Sequence, residues 1–170
     1  RIKRKTRLSI KLLVMSSLEQ VLKSIDLLEE EMRPNWGKMS CPQMIRHCNR
    51  FIKVYTNEFK FKPPISLISP IFGQLHIFWL KHIIKYNVKK YFKNLPTLRY
   101  FDTYGITDID FVGEREELIS RIKFVIEYKE DYINNTFHGR VKRKTFKDVV
   151  EFHTRYHLVQ FGVCLLYTSD

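Results

Sequence analysis

The stretch WGKMSCPQMIRHC, residues 36–48, contains the clearest helix start in the chain and decides the fold assigned to it. Ser40 and Gln43 have the S-x-x-Q spacing of a capping box, in which each side chain bonds the other residue's backbone N–H. Pro42 falls in the first helical turn, where a missing N–H is harmless. His47 follows at helical spacing on the face that carries Met44, Cys48, Phe51 and Tyr55. The stretch therefore predicts a helix whose buried face presents a histidine.

The rest of the chain has the same periodicity, which predicts four main helices. The helix of His47 should end near residue 61, and the others are predicted from Ser17 to about Met32, from near Gly113 and from around Thr145. These elements predict an all-α fold, an antiparallel four-helix bundle with an extra helical segment and a long connection. Bundles build metal sites from side chains that face one another across the core.

Three segments between these helices are predicted from their composition. Residues 65–80, ISLISPIFGQLHIFWL, are apolar but shorter than the ~20 residues that a spanning helix needs, so we expect buried core rather than a membrane span. Residues 87–112 hold turn residues without a clean period, and so long a connection is often functional. Residues 134–144, NNTFHGRVKRK, are predicted to form a loop.

Composition and charge limit the class of protein. Hydrophobic residues make up 44% of the 170 residues, which fits one globular domain. Three cysteines without a CxxC pair, and no visible signal peptide, indicate a reducing, cytoplasmic environment. Six Lys and Arg residues among the first eleven positions supply half of the net charge of +12. The excess charge is therefore interpreted as solvated surface, and nucleic acid is an unlikely partner.

The two ends of the chain differ from its middle. Residues 1–16 are predicted to be a loose basic tail, residues 17–163 the helical domain, and residues 164–170 a C-terminal remnant outside it. The sequence leaves the oligomeric state open, and a homodimer is compatible with it.

The motif HTRYH in the last predicted helix carries the chemistry. His153 and His157 are four residues apart and therefore lie one above the other on one helix face. Two imidazoles at this spacing can bind one divalent ion, and His47 is the best candidate for a third ligand because it also faces inward. Three neutral imidazoles leave open positions on zinc, nickel, iron or manganese, as a catalytic site requires. Three inward histidines that simply pack in the core are the alternative.

WGKMSCPQMIRHC and FHTRYHLVQFGV, residues 152–163, resemble the two signature segments of the DinB-like superfamily. They are most similar to an uncharacterised branch with the motifs WGKM-x3-QM-x2-H and H-x3-H-L-x-QFG. The resemblance covers roughly residues 17–163. It implies an up-down-down-up four-helix bundle in which His47, His153 and His157 hold a divalent metal. Better-known relatives are metal-dependent transferases that use a low-molecular-weight thiol.

Two residues depart from this pattern, and one of them is Val159, which stands where a basic residue is common. Tyr156 stands where many relatives have a further histidine. Its position lies about 100° around the helix from His157, so the predicted metal site does not depend on it.

Other residues have both a structural and a functional interpretation. Gln160 either packs at the end of the last helix or orients a ligand, and Cys48 is expected to be a small buried hydrophobe. His138 is a candidate to reach the open face of the metal, whereas His76 and His82 have no matching partners. The long connection offers candidate substrate contacts, namely Asp102, Tyr104 and Asp108.

Three functions therefore remain open. The leading one is a metal-dependent enzyme that transfers a group to or from a small thiol, or hydrolyses a small-molecule substrate. The second is a non-enzymatic bundle with a structural metal or none. The third is a nucleic-acid-binding protein that uses the basic segments.

Overall fold

The computed structural model describes residues 17–163, so the predicted tail and the predicted C-terminal remnant lie outside the described residues. The described chain is mostly helical, as predicted, with one small hairpin. Its elements are α1 (Ser17–Ile25), α2 (Cys41–Tyr55), α3 (Ile65–Trp79), α4 (Phe111–Glu127), strands β1 (Tyr132–Asn135) and β2 (Gly139–Lys142), and α5 (Arg143–Gln160). A π-helical turn, Leu80–Ile84, continues α3, and a 3-10 turn, Val88–Lys90, follows it.

Helices α1, α2, α4 and α5 enclose the core. Both α1 and α2 pack on α4 and on α5, and α3 lies apart from them against β2. The residues that these four helices bury fully include Ile25, Ile45, Ile52, Leu118, Ile122, Phe146 and Val150. The site described below lies where α2 faces α5.

The start of α2 confirms the capping box. The Ser40 backbone N–H donates to Gln43 Oε1 at 2.9 Å, and the Gln43 backbone N–H donates to Ser40 Oγ at 3.4 Å. The Gln43 amide also donates to the carbonyls of Tyr104 (2.8 Å) and Ile106 (2.9 Å). The same side chain thus fixes the helix start and ties the long connection to it.

The first two helices are shorter than predicted. Helix α1 ends at Ile25 rather than near Met32. Three glutamates at residues 29–31 would stand at the negative end of a longer helix, where the helix dipole opposes acidic side chains. Helix α2 ends at Tyr55 instead of near residue 61, because Asn57 adopts the left-handed conformation with φ 60°.

The prediction that residues 134–144 form a loop is wrong, because this segment contains the end of β1, the turn and all of β2 of a β-hairpin. Ile133 pairs with Val141 in the antiparallel register and both are buried, while Tyr132 lies on β1 with 42% of its surface exposed. The Asn135 side chain closes the turn by accepting from the backbone N–H groups of Phe137 and His138. Two four-residue strands are too short for an alternating pattern to stand out in the sequence.

The prediction that residues 65–80 are buried core is also wrong. In α3 only Ser69, Gly73 and Ile77 are buried, and large apolar side chains such as Leu67 and Ile71 are 70% and 65% exposed. Because the π-helical turn extends α3, the continuous helix Ile65–Ile84 has 20 residues. It is the one helix in residues 17–163 that is long and apolar enough to cross a membrane.

Candidate metal centre

The structure brings together the three histidines that the sequence singled out. His47 projects from α2, and His153 and His157 project from successive turns of α5. One ring nitrogen of each lies within 4.8 Å of the others, and His47 Nε2 is 3.1 Å from His153 Nε2. Three imidazoles this close can hold one metal ion.

The nitrogen separation fits a shared ion. Two nitrogens at about 2.0–2.1 Å from one tetrahedral zinc ion are about 3.3–3.4 Å apart. The observed 3.1 Å between His47 Nε2 and His153 Nε2 is close to that spacing. It also allows an N–H···N hydrogen bond between the rings, so the partners of the outer nitrogens decide which lone pairs point inward.

Two of the three rings have their tautomer fixed from outside. His47 Nδ1 is 2.7 Å from the Phe101 carbonyl, which can only accept, so Nδ1 carries the hydrogen and Nε2 keeps its lone pair. His157 Nδ1 donates to Gln160 Oε1 at 2.8 Å. The Gln160 amide is oriented in turn, since its Nε2 donates to the Trp36 carbonyl at 2.6 Å. This arrangement is typical of metal-ligating histidines.

His153 is held by packing. Its ring stacks on Phe51 with 3.9 Å between ring centroids and an interplanar angle of 10°. Its Nδ1 is buried and has no hydrogen-bond partner within residues 17–163. A neutral imidazole in this position has only its Nε2 directed at the other two rings.

The environment keeps the three rings neutral. Burial lowers the pKa of His47 and lowers the pKa of His157 to about 3, with the neighbouring His47 adding to the effect on His157. Burial and then the neighbouring His157 and His47 lower the pKa of His153 well below its ordinary value. Metal binding requires unprotonated imidazole, which these side chains supply at neutral pH.

A cavity of about 790 Å³ opens beside the three histidines. This volume lies within the range of small-molecule sites. Its walls are mainly apolar and include the aromatic residues Trp36, Phe51, Tyr91, Phe101, Phe152 and Tyr156. Of the candidate substrate contacts in the long connection, Asp102 and Tyr104 line the cavity, whereas Asp108 does not.

A second histidine pair consists of His76, which lines the cavity, and His138, which does not. His138 is fully buried, its Nδ1 is 2.7 Å from the Tyr55 hydroxyl, and its Nε2 is 3.3 Å from His76 Nδ1. On the other side of His76, its Nε2 is 3.4 Å from the Tyr91 hydroxyl. The expectation that His138 reaches the metal face is therefore wrong, as is the expectation that His76 has no partner. Their positions 62 residues apart gave no sequence signal of this pairing.

Neither described cysteine is a candidate nucleophile. Cys41 and Cys48 are free and fully buried, as expected for small hydrophobes. Burial raises the pKa of Cys41 to about 12 and raises the pKa of Cys48 further. Both side chains therefore stay protonated thiols at neutral pH.

Comparison of the chain with protein-family models, with curated proteins and with solved structures found no match.

Proposed function

We propose that this protein binds one divalent metal ion through His47, His153 and His157 and uses it in group transfer to or from a small thiol. One observation carries the proposal. The Nε2 atoms of His47 and His153 are 3.1 Å apart, while the outer nitrogens of His47 and His157 donate to Phe101 O and Gln160 Oε1. A hydrogen bond from His153 satisfies at most one of the two lone pairs that His47 and His157 direct inward, whereas a shared metal ion satisfies both.

We also propose that the four helices around the site form the up-down-down-up bundle of the DinB-like superfamily. The packing of α1 and α2 on both α4 and α5 supports this assignment, as do the two sequence motifs that carry His47, His153 and His157. In this view, α3 and the hairpin are additions between the second and fourth bundle helices.

The open side of the three histidines favours an enzyme over a structural metal site. Closed structural zinc sites have four protein ligands, whereas this cluster has three among residues 17–163 and adjoins a cavity. When bound, a divalent ion supplies Lewis acidity, by which a thiol or a water becomes a nucleophile at neutral pH. The two cysteines within residues 17–163, Cys41 and Cys48, are buried as thiols, which supports a low-molecular-weight thiol as the source of the sulfur nucleophile. Hydrolysis is the same chemistry with water in place of the thiol.

The residues of this chain have distinct parts in the proposed site. Phe101 O and Gln160 keep the outer nitrogens of two ligands protonated, and Phe51 fixes the plane of the third. The largely apolar walls of the cavity suit an apolar portion of the substrate. Asp102 and Tyr104 are among the polar residues of the long connection that line the cavity, and they would contact the substrate.

Elemental analysis of the purified full-length protein tests the metal site. We expect about one equivalent of metal per chain, with its loss in His47→Ala and in His157→Ala. His82→Ala is the matched control, because His82 is exposed and outside the cluster. A folded wild-type protein without affinity for zinc, nickel, iron or manganese would refute the proposal.

Thermal melting after chelation separates an open site from a structural one. An apo protein that melts within a few degrees of the metal-loaded protein supports an open functional site. Unfolding on chelation at room temperature would contradict the enzyme assignment and favour a structural metal.

A further inference from the structure

Helix α3 and the turn that continues it present an apolar face to solvent. Ile68, Ile71, Phe72, Leu75 and Phe78 recur every three or four residues, and each is between 48% and 65% exposed. Ile65, Leu67 and Ile83 extend the same exposed surface. A contiguous apolar surface of this kind marks an interaction site.

The opposite face of α3 is attached to the hairpin. Ser69 Oγ donates to the Thr136 carbonyl, and Gln74 Nε2 donates to the His138 carbonyl. Gly73 packs so closely that a Cβ there would be 2.7 Å from His138 Cα. Crossing a bilayer would require α3 to give up these contacts, so its apolar face is suited to lie along a surface instead.

The charge around this helix is of one sign. From Phe59 to Phe101 the sequence has no Asp or Glu, and it has eight cationic residues: Lys60, Lys62, Lys81, Lys85, Lys89, Lys90, Lys93 and Arg99. All eight are exposed. Two of them precede α3 and six follow Trp79, so positive charge stands at both ends of the apolar face.

We propose that the apolar face of α3 inserts into the interfacial region of an anionic lipid bilayer, with the flanking lysines on the lipid headgroups. An exposed apolar helix face combined with exposed lysines is the composition of interfacial membrane helices. A second copy of the chain is less suited to this face than an anionic bilayer. Self-association through the face would bring the eight cations of one chain close to the eight cations of the other. The cavity lies behind this helix, since His76 and Leu80 line it, so the bound protein would hold the site next to the lipid. The proposal does not depend on a metal at that site.

Vesicle co-sedimentation of the full-length protein tests the proposal. The probes are vesicles of phosphatidylcholine alone and vesicles that also contain phosphatidylserine. We expect binding to the mixed vesicles that is about tenfold or more stronger than to the neutral ones, and that weakens as salt shortens the range of the charges.

Two double variants separate the apolar and the electrostatic contributions. Ile71→Ser with Leu75→Ser should reduce binding to the mixed vesicles about tenfold or more, and Lys81→Glu with Lys85→Glu should remove most of the preference for anionic lipid. The matched control is Phe124→Ser, since Phe124 is an exposed apolar residue of α4, and it should bind like the wild type. The serine variants keep every cation of residues 1–11, so a basic tail alone cannot produce the expected loss.

The outcomes are distinct because the substituted residues are exposed and the variants should melt like the wild type. The proposal would be overturned if the wild-type protein bound neither vesicle type, or if the serine variants bound the mixed vesicles as well as the wild type does. A wild-type dimer that does not bind vesicles and that the serine substitutions convert to a monomer would also overturn it, since the occupant of the face would then be a second copy.

Discussion

Replacing Gln160 with methionine should weaken metal binding without removing a ligand. Gln160 is buried, accepts from His157 Nδ1 at 2.8 Å and donates to Trp36 O at 2.6 Å. Methionine has a similar length but offers neither group, so His157 loses the acceptor that fixes its tautomer. Loss of such a partner typically raises the metal dissociation constant about 10- to 100-fold, which corresponds to about 1.4–2.7 kcal/mol.

The same substitution should destabilise the metal-free protein. His157 Nδ1–H and Trp36 O are left without partners, and each unsatisfied buried group costs about 1–3 kcal/mol. Asn49→Leu is the matched control, because Asn49 is also buried and its amide donates to the Glu114 carbonyl at 2.9 Å and to Glu114 Oε2 at 2.7 Å, without bonding an imidazole or the long connection. Both variants should show lower urea midpoints, and only Gln160→Met should bind metal more weakly.

Competition with a fluorescent chelator at pH 7.5 measures the dissociation constant, and urea unfolding with chelator present measures stability. A Gln160→Met protein that is destabilised but binds metal as tightly as the wild type would refute the assignment of His157 as an oriented ligand. An Asn49→Leu protein that loses affinity equally would show that the effect comes from general loosening of the fold.

Three further predictions concern pH, the helix start and the packing of α3. His138 is fully buried and its pKa falls to about 3, against about 6.5 when unfolded, so the unfolded chain binds more protons between these values. The contribution of His138 to the free energy of unfolding is therefore complete above pH 6.5 and is lost as pH falls, by on the order of 1.4 kcal/mol per pH unit. A urea midpoint of the metal-free protein that is equal at pH 7.5 and pH 5 would contradict this prediction. Ser40→Ala should cost about 1 kcal/mol in urea unfolding through loss of the cap on α2, and an unchanged midpoint would argue against the capping box. Gly73→Ala should cost about 2–3 kcal/mol because its Cβ meets the hairpin, whereas Gly105→Ala, with open space around it, should melt like the wild type.

The sequence predicted the features that are encoded over a few residues. The capping box of Ser40 and Gln43 needs only its own three-residue spacing, and the structure confirms it. The shared face of His153 and His157 follows from helix geometry, and the inward position of His47 follows from the apolar residues around it. The structure accordingly brings these three side chains together.

The features that the sequence did not predict depend on tertiary packing. The apolar composition of α3 favours burial of the helix. It does not indicate that the rest of the fold buries only Ser69, Gly73 and Ile77 of this helix. The pairing of His76 with His138 arises because α3 packs on the hairpin, and the hairpin itself was too short to detect. Gln160 was predicted as either a packing residue or an orienting one, and its bond to His157 favours the second.

The long connection contributes directly to the metal centre, because its Phe101 carbonyl accepts a hydrogen bond from His47 Nδ1. Arg50 of α2 donates to the carbonyls of Tyr100 and Asp102, on either side of Phe101, and Gln43 holds Tyr104 in the same way. Residues 100–104 are thus fastened to the helix that carries His47 at points on both sides of the carbonyl that sets its tautomer. An engineer who exchanged this connection for that of another protein would change the metal affinity along with the substrate contacts, because one backbone segment supplies both.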